Sequence, residues 1–147
     1  MRARAWLSIA MPAVLLPALA QPLLSITRAE FGLFRPDGTL LPTTSVPHAV
    51  DQAYGWRLRV DTRLATLRVH EELTLPAAPA TWGDPEPGLK RRVSADGRTV
   101  ITELTLEVHG GQVSQAWAVA PGDPKGEYLL KVKLEGAPEQ VFRFRVQ

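Results

Sequence analysis

The stretch Val100-Ile101-Thr102-Glu103-Leu104-Thr105-Leu106-Glu107-Val108 decides the fold. Val100, Thr102, Leu104, Leu106 and Val108 fall on one side, and Glu103, Thr105 and Glu107 on the other. A period of two rich in β-branched residues predicts a strand with one face buried and one wet. No segment longer than ten residues shows a convincing period of 3.6. The chain is therefore expected to be all-β.

The same alternation extends outward in both directions. Gly110-Gly111 turns the chain tightly, and Val113, Gln115, Trp117 and Val119 form a returning strand. Upstream, Lys90-Arg91-Arg92 leads toward a hairpin turn at Asp96-Gly97. Leu67, Val69, Leu73 and Leu75 share a face opposite Arg68, His70, Glu72 and Thr74. Glu71 falls on the apolar side of that strand, which predicts a β-bulge or a strand end near His70-Glu71. Trp56, Leu58 and Val60 make one face of a strand from Tyr54 to Val60. A first strand puts Thr27, Ala29, Phe31 and Leu33 on one face, and Pro36-Asp37-Gly38 follows as turn chemistry. Leu40-Leu41-Pro42 to Pro47 reads as an irregular or edge segment, because proline cannot donate to a ladder.

Pro76 to Gly88 holds four prolines, two glycines and Trp82. It reads as a long loop, and long structured loops often carry function. After the turn cluster Pro121 to Gly126, Tyr128, Leu130, Val132 and Leu134 alternate inward. Gly136-Ala137-Pro138-Glu139 makes the last turn, and Phe142, Phe144 and Val146 follow. Lys131, Lys133, Arg143 and Arg145 face outward there, where positive charge would protect an edge strand; acceptance of a partner strand at this edge is the alternative.

Seven or eight short antiparallel strands, each with one apolar face, predict two packed sheets: an immunoglobulin-like β-sandwich. A barrel would satisfy the same pattern. Tyr128 favours the sandwich, since a tyrosine at the start of a late strand can bond its hydroxyl back across a corner. Gly126-Glu127-Tyr128-Leu129-Leu130-Lys131-Val132, with Val141-Phe142-Arg143-Phe144, resembles the last two strands of bacterial immunoglobulin-like modules, over residues 121–147. Phe31-Gly32-Leu33-Phe34, Tyr54-Gly55-Trp56 and Trp117-Ala118-Val119 look like landmarks of uncharacterised exported bacterial β-proteins. The resemblance implies a fold and carries no activity.

The N-terminus sets the compartment. Arg2 and Arg4, an apolar run from Ala5 to Leu19 and the small-residue site Ala18-Leu19-Ala20 predict a signal peptide over residues 1–20. A single domain, 21–147, is expected to follow. The run of about 15 residues is short for a membrane span of roughly 20. Two of the 17 Lys and Arg lie in that segment, which leaves 15 against 15 Asp and Glu. A neutral domain lacks the footprint of nucleic-acid binding. No cysteine occurs and both methionines, Met1 and Met11, lie in the signal. Disulfides, thiol nucleophiles, Cys-zinc sites and soft Cu(I) sites are thus excluded from the mature domain.

Candidate sites are sparse. His70 and Glu72 could share an ion, with His48 or His109 as a third ligand, although a solvated strand face explains them as well. Glu71-Glu72 and Glu103/Glu107 are the only close carboxylate sets. Trp82, Lys90, Arg91 and Arg92 are the expected partner contact, because a loop tryptophan beside cations suits an interface. Trp82 capping one end of the sandwich is the competing reading. Trp56 and Trp117 are expected in the core. No catalytic residue, metal ligand or cofactor is assigned. The expected function is a non-enzymatic interaction or structural module of the bacterial cell envelope, periplasmic or extracellular. Its partner would be another envelope protein, with no nucleic acid, and with membrane contact only through the signal peptide before cleavage. A ligand-binding module for a lipid, glycan or metal is the alternative.

Overall fold

Alternating sequences bury one face only when two sheets close on each other, and this chain does so in a computed structural model. The structure describes residues 14, 16, 17 and 22–147. The expected signal peptide and its cleavage point fall almost wholly outside them. Ten strands follow in order: β1 Leu24–Phe34, β2 Leu40–Pro42, β3 Ser45–Val46, β4 Ala53–Thr62, β5 Thr66–Thr74, β6 Lys90–Val93, β7 Thr99–Glu107, β8 Gln112–Ala118, β9 Gly126–Leu134 and β10 Gln140–Val146. They form a four-stranded sheet, β2-β1-β4-β8, and a six-stranded sheet, β3-β10-β9-β5-β7-β6. The pairings are antiparallel except β3 on β10. The sandwich expectation holds, and no helix occurs among the described residues.

The seven longer strands are those that alternation predicts. β2 and β3, with three and two residues, are edge strands within the segment expected to be irregular or edge, and β6, with four, is additional. A period of two needs more residues than that to show. Lys90-Arg91-Arg92 therefore lies on an edge strand, not on a turn. The last hairpin is an edge only in part. β9 lies between β10 and β5, so Lys131 and Lys133 stand on an interior strand. β3 pairs only with Arg145 and Val146 of β10, which leaves the stretch with Arg143 open.

The expected bulge is in another strand. β5 pairs without a register break from Thr66 to Thr74 on β7. The irregularity lies in β1, between Ile26 and Arg28 on β4. Leu24 and Ile26 pack inward before it, Phe31 and Leu33 after it. Thr27 is exposed and leaves the face where alternation placed it.

The core sits between the two sheets. Phe31 of β1 stacks on Phe144 of β10, with ring centroids 4.4 Å apart. Tyr54 and Tyr128 close around Phe144 at 5.2 and 5.3 Å. Gly55 allows close passage of β8, since a Cβ there would lie 2.1 Å from the Gln115 carbonyl oxygen. The Tyr128 hydroxyl donates to the Pro124 carbonyl at 2.7 Å, the corner bond expected from its position. Tyr128→Phe should keep the fold and lose about 1 kcal/mol in urea unfolding. An unchanged stability would show that the corner bond contributes nothing.

Candidate functional site: a tryptophan-bound carboxylate beside an open sheet edge

Glu71 occupies an inward position of β5 and is only 1% exposed. A bare carboxylate in a dry core is costly. This one is held from the opposite sheet. The Trp56 indole N–H of β4 donates to Oε2 at 2.5 Å, and the Trp117 indole N–H of β8 donates to Oε1 at 2.6 Å. Both oxygens thus accept a charge-assisted bond. In register, Glu71 faces Thr102 of β7, which faces Arg91 of β6. The rung adds a cation on the same inner face.

Arg91 completes a second layer. Its guanidinium lies over the Trp117 ring, 5.6 Å from the centroid, and its Nη1 donates to the Trp82 carbonyl at 2.8 Å. Trp82, from the proline-rich loop, meets Trp117 edge-on at 6.4 Å and donates its indole N–H to the Gly97 carbonyl at 2.9 Å. The structure brings Trp82 and Arg91 together as packing elements, so Trp82 does close one side of the sandwich. Lys90 and Arg92 project on the opposite, outer face, across from Glu103 and Ile101, and are exposed. Trp56 is fully buried and Trp117 half-buried.

Burial is the largest influence on the Glu71 carboxyl and pushes it above the ordinary 4.5. The two indoles and the Arg91 charge pull it down and offset only part of that rise. With both oxygens bound and no solvent contact, Glu71 is placed to tie the sheets together, not to exchange protons with a substrate.

The remaining candidates stay apart. His70 Nε2 lies 3.2 Å from Glu72 and its Nδ1 3.7 Å from Glu103. His109 faces Glu107 at 3.1 Å, and the His48 ring lies 2.7 Å from the Asp123 carbonyl. Among the described residues no group of three His, Asp or Glu side chains is gathered for a metal ion. Glu71 and Glu72 point to opposite faces of β5, so they form no pair.

A feature that sequence reading passed over lies beside this cluster. β8 is the free edge of the four-stranded sheet. Val119 N–H donates to Gln52 and Val60 N–H to Gly111. Alternation of the ladder then turns N–H and C=O of Ser114, Ala116 and Ala118 away from β4. No hydrogen bond among the described residues reaches these six groups. The other edges are blunted: β2 ends in Pro42, β3 has two residues, and three of the four residues of β6 are cationic. β8, Gln112-Val113-Ser114-Gln115-Ala116-Trp117-Ala118, has no charge, proline or glycine. That absence of charge was visible in the sequence.

Residues 29–147 match the model of the PM0630 beta sandwich domain. The chain belongs to this family. An immunoglobulin-like protein from Pseudomonas aeruginosa has a similar structure, at a TM-score of 0.55 and 19% identity, covering 88% of this chain and 99% of that one. The PmoD soluble domain from Methylocystis sp. is more distant, at a TM-score of 0.43 and 17% identity, covering 81% and 90%. No curated protein matches the chain. The family match and the first of these structures establish an immunoglobulin-like β-sandwich fold and no activity.

The raised Glu71 carboxyl predicts a direction. The folded state holds this proton to higher pH than the unfolded chain. Its contribution to stability therefore falls as pH rises from about 4.5 through the folded-state value. Glu71→Gln leaves an amide NH2 against one indole N–H and should cost about 1–3 kcal/mol near pH 5. The gap from wild type should narrow toward pH 8 in urea unfolding. A gap that widens with pH would reverse the sign assigned to Glu71.

Proposed function

We propose that this chain is an exported, non-enzymatic β-sandwich module that works by protein contact in the bacterial cell envelope. Its contact surface lies at the β6–β8 side of the sandwich, with Lys90 and Arg92 exposed beside the Trp82 loop. The observation that carries this reading is the contrast along that side. Glu71, Trp56, Trp117 and Arg91 are consumed in holding the fold, while among the described residues the outward backbone groups of β8 and the side chains of Lys90 and Arg92 have no hydrogen-bond or ion-pair partner. The basic, apolar and small-residue order of residues 1–20 supports export, and the absence of cysteine means that folding outside the cytoplasm needs no oxidant.

Trp82→Ala is a poor test, because Trp82 supports Trp117 and Arg91. Lys90→Glu with Arg92→Glu leaves the buried cluster intact. Signal-cleaved wild-type protein should capture a stoichiometric envelope protein from its own cells, and the double variant should capture at least severalfold less. Equal capture would remove Lys90 and Arg92 from the surface, and no capture by wild type would remove the contact role.

One observation favours a second reading, a ligand-binding module. A shallow concavity of about 480 Å³ on the outer face of the larger sheet is lined by Arg68, His70, Lys90, Glu103, Lys133 and Glu135. A ligand seated there raises the melting temperature by mass action. Thermal shift against metals, sugars and lipids should find one, and silence across all three would discard this reading.

A further inference from the structure

We propose that β8 accepts an extended, acidic segment of another protein as an added strand. This rests on the contact-module reading and names the partner class. Three observations carry it.

The first is the edge itself. Ser114, Ala116 and Ala118 present three N–H and three C=O groups outward, all without a partner among the described residues. An extended segment pairing along them would satisfy all six. Their side chains are small and exposed, so an incoming backbone meets no bulk. Natural edges of this length are usually guarded by charge, proline or a bulge. The short edge strands β2, β3 and β6 end in proline, have two residues or are cationic, and the stretches of β1, β10 and β7 that they leave open carry Arg28 and Glu30, Arg143, and Glu107; β8 carries no charge.

The second is a cleft along the open side between the sheets. It has a volume of about 440 Å³, with Gln112, Val113 and Ser114 on one wall and Thr105, Leu106 and Glu107 on the other. A strand added to β8 points alternate side chains into this opening. Backbone bonds would supply affinity and the cleft a choice of side chain.

The third is charge. On β6 the Arg91 guanidinium turns inward and lies over the Trp117 ring of β8, while Lys90 and Arg92 stand exposed on the outer face of the same edge strand. Arg59 of β4 stands beside Gln112 in register and is exposed, while the Arg57 guanidinium is held by the Gly38 carbonyl and the Phe34 ring. Glu71 is taken up by its two indoles, and Glu107 on the cleft wall faces His109 at 3.1 Å. An acidic segment complements this rim and is steered toward it. A second copy of this chain on β8 would instead bring two Lys90-Arg91-Arg92 clusters toward each other, which like-charge repulsion opposes.

The probe is a short synthetic peptide of alternating Val and Thr with Glu at both ends, and a control peptide carries Lys in place of Glu. The acidic peptide should bind saturably to the signal-cleaved protein. It should slow amide hydrogen exchange at Ser114, Ala116 and Ala118 by about tenfold or more, since a paired amide exchanges only when the added strand opens. Ala116→Pro deletes an outward N–H that bonds nothing inside the domain, so the fold should survive and binding should vanish. Ser114→Pro provides the same test at a second position should Ala116→Pro fail to fold. Lys90→Glu with Arg92→Glu should weaken binding and flatten its salt dependence. Any of four results overturns the proposal: no saturable binding, equal binding of the Lys peptide, binding unchanged in the proline variants, or a dimer whose edge amides are protected without peptide. Capture of an envelope protein undiminished in Ala116→Pro also overturns the edge assignment but leaves the contact-module reading standing.

Discussion

The structure depends on one buried carboxylate held by two indoles. Glu71 belongs to the larger sheet, while Trp56 and Trp117 belong to the smaller one. Hydrophobic contact between two sheets is nondirectional and tolerates sliding. Two charge-assisted bonds from neighbouring strands of one sheet to the two oxygens of a single side chain do not. They fix the relative offset of β4 and β8 against β5, because a displacement of one residue would turn Glu71 outward or leave two indole N–H groups unpaired. Thr102 and Arg91 continue the polar rung toward the open side, and Trp82 covers it.

The rest of the core is organised around a different chemistry. Phe31, Tyr54, Tyr128 and Phe144 form an aromatic group that bridges the same two sheets with no buried charge among them. The domain has no disulfide to limit its unfolded state. Registration must therefore come from directional contacts within the native state. The Tyr128 hydroxyl on Pro124 supplies one such contact at the aromatic group, and the carboxylate with its indoles supplies another. Apolar area supplies the driving force, and these few polar bonds select one packing of it.

Period two made the long strands legible, since Trp56, Leu58, Leu104 and Leu130 each lie inward where alternation puts them. Tyr128 was legible because its position relative to the preceding turn has one good use. Glu71 reads in sequence as a break in the strand, and the structure shows an unbroken one. An acidic residue at an inward position looks the same in sequence as a register shift, and only the indoles of strands distant in sequence distinguish the two. The true bulge at Thr27 was hidden, because the residues after it resume alternation with apolar side chains. β3 was not legible either, as its parallel pairing with β10 depends on two residues and a partner near the C-terminus. Sequence leaves Trp82 open between a loop anchor for a partner and a cap on the sandwich, because the internal partners of its indole N–H and ring, Gly97 and Trp117, are distant in sequence.

The placement of polar groups on the two sides of Trp117 explains why one side of the domain can be both rigid and open. Inward, the indole is bound to Glu71 and flanked by Trp82 and Arg91, so the C-terminal half of β8 is anchored through its side chains. Outward, the same strand shows only backbone groups with small, uncharged side chains around them. A strand fixed by its inner face needs no edge partner to keep its shape, so its free hydrogen-bonding groups are already aligned. An incoming segment would then bear the entropy of ordering itself alone and not that of the edge. Charge on that edge would have prevented adventitious pairing at little cost to stability. The domain places such charge on β6, the edge strand of the facing sheet, and leaves it off β8.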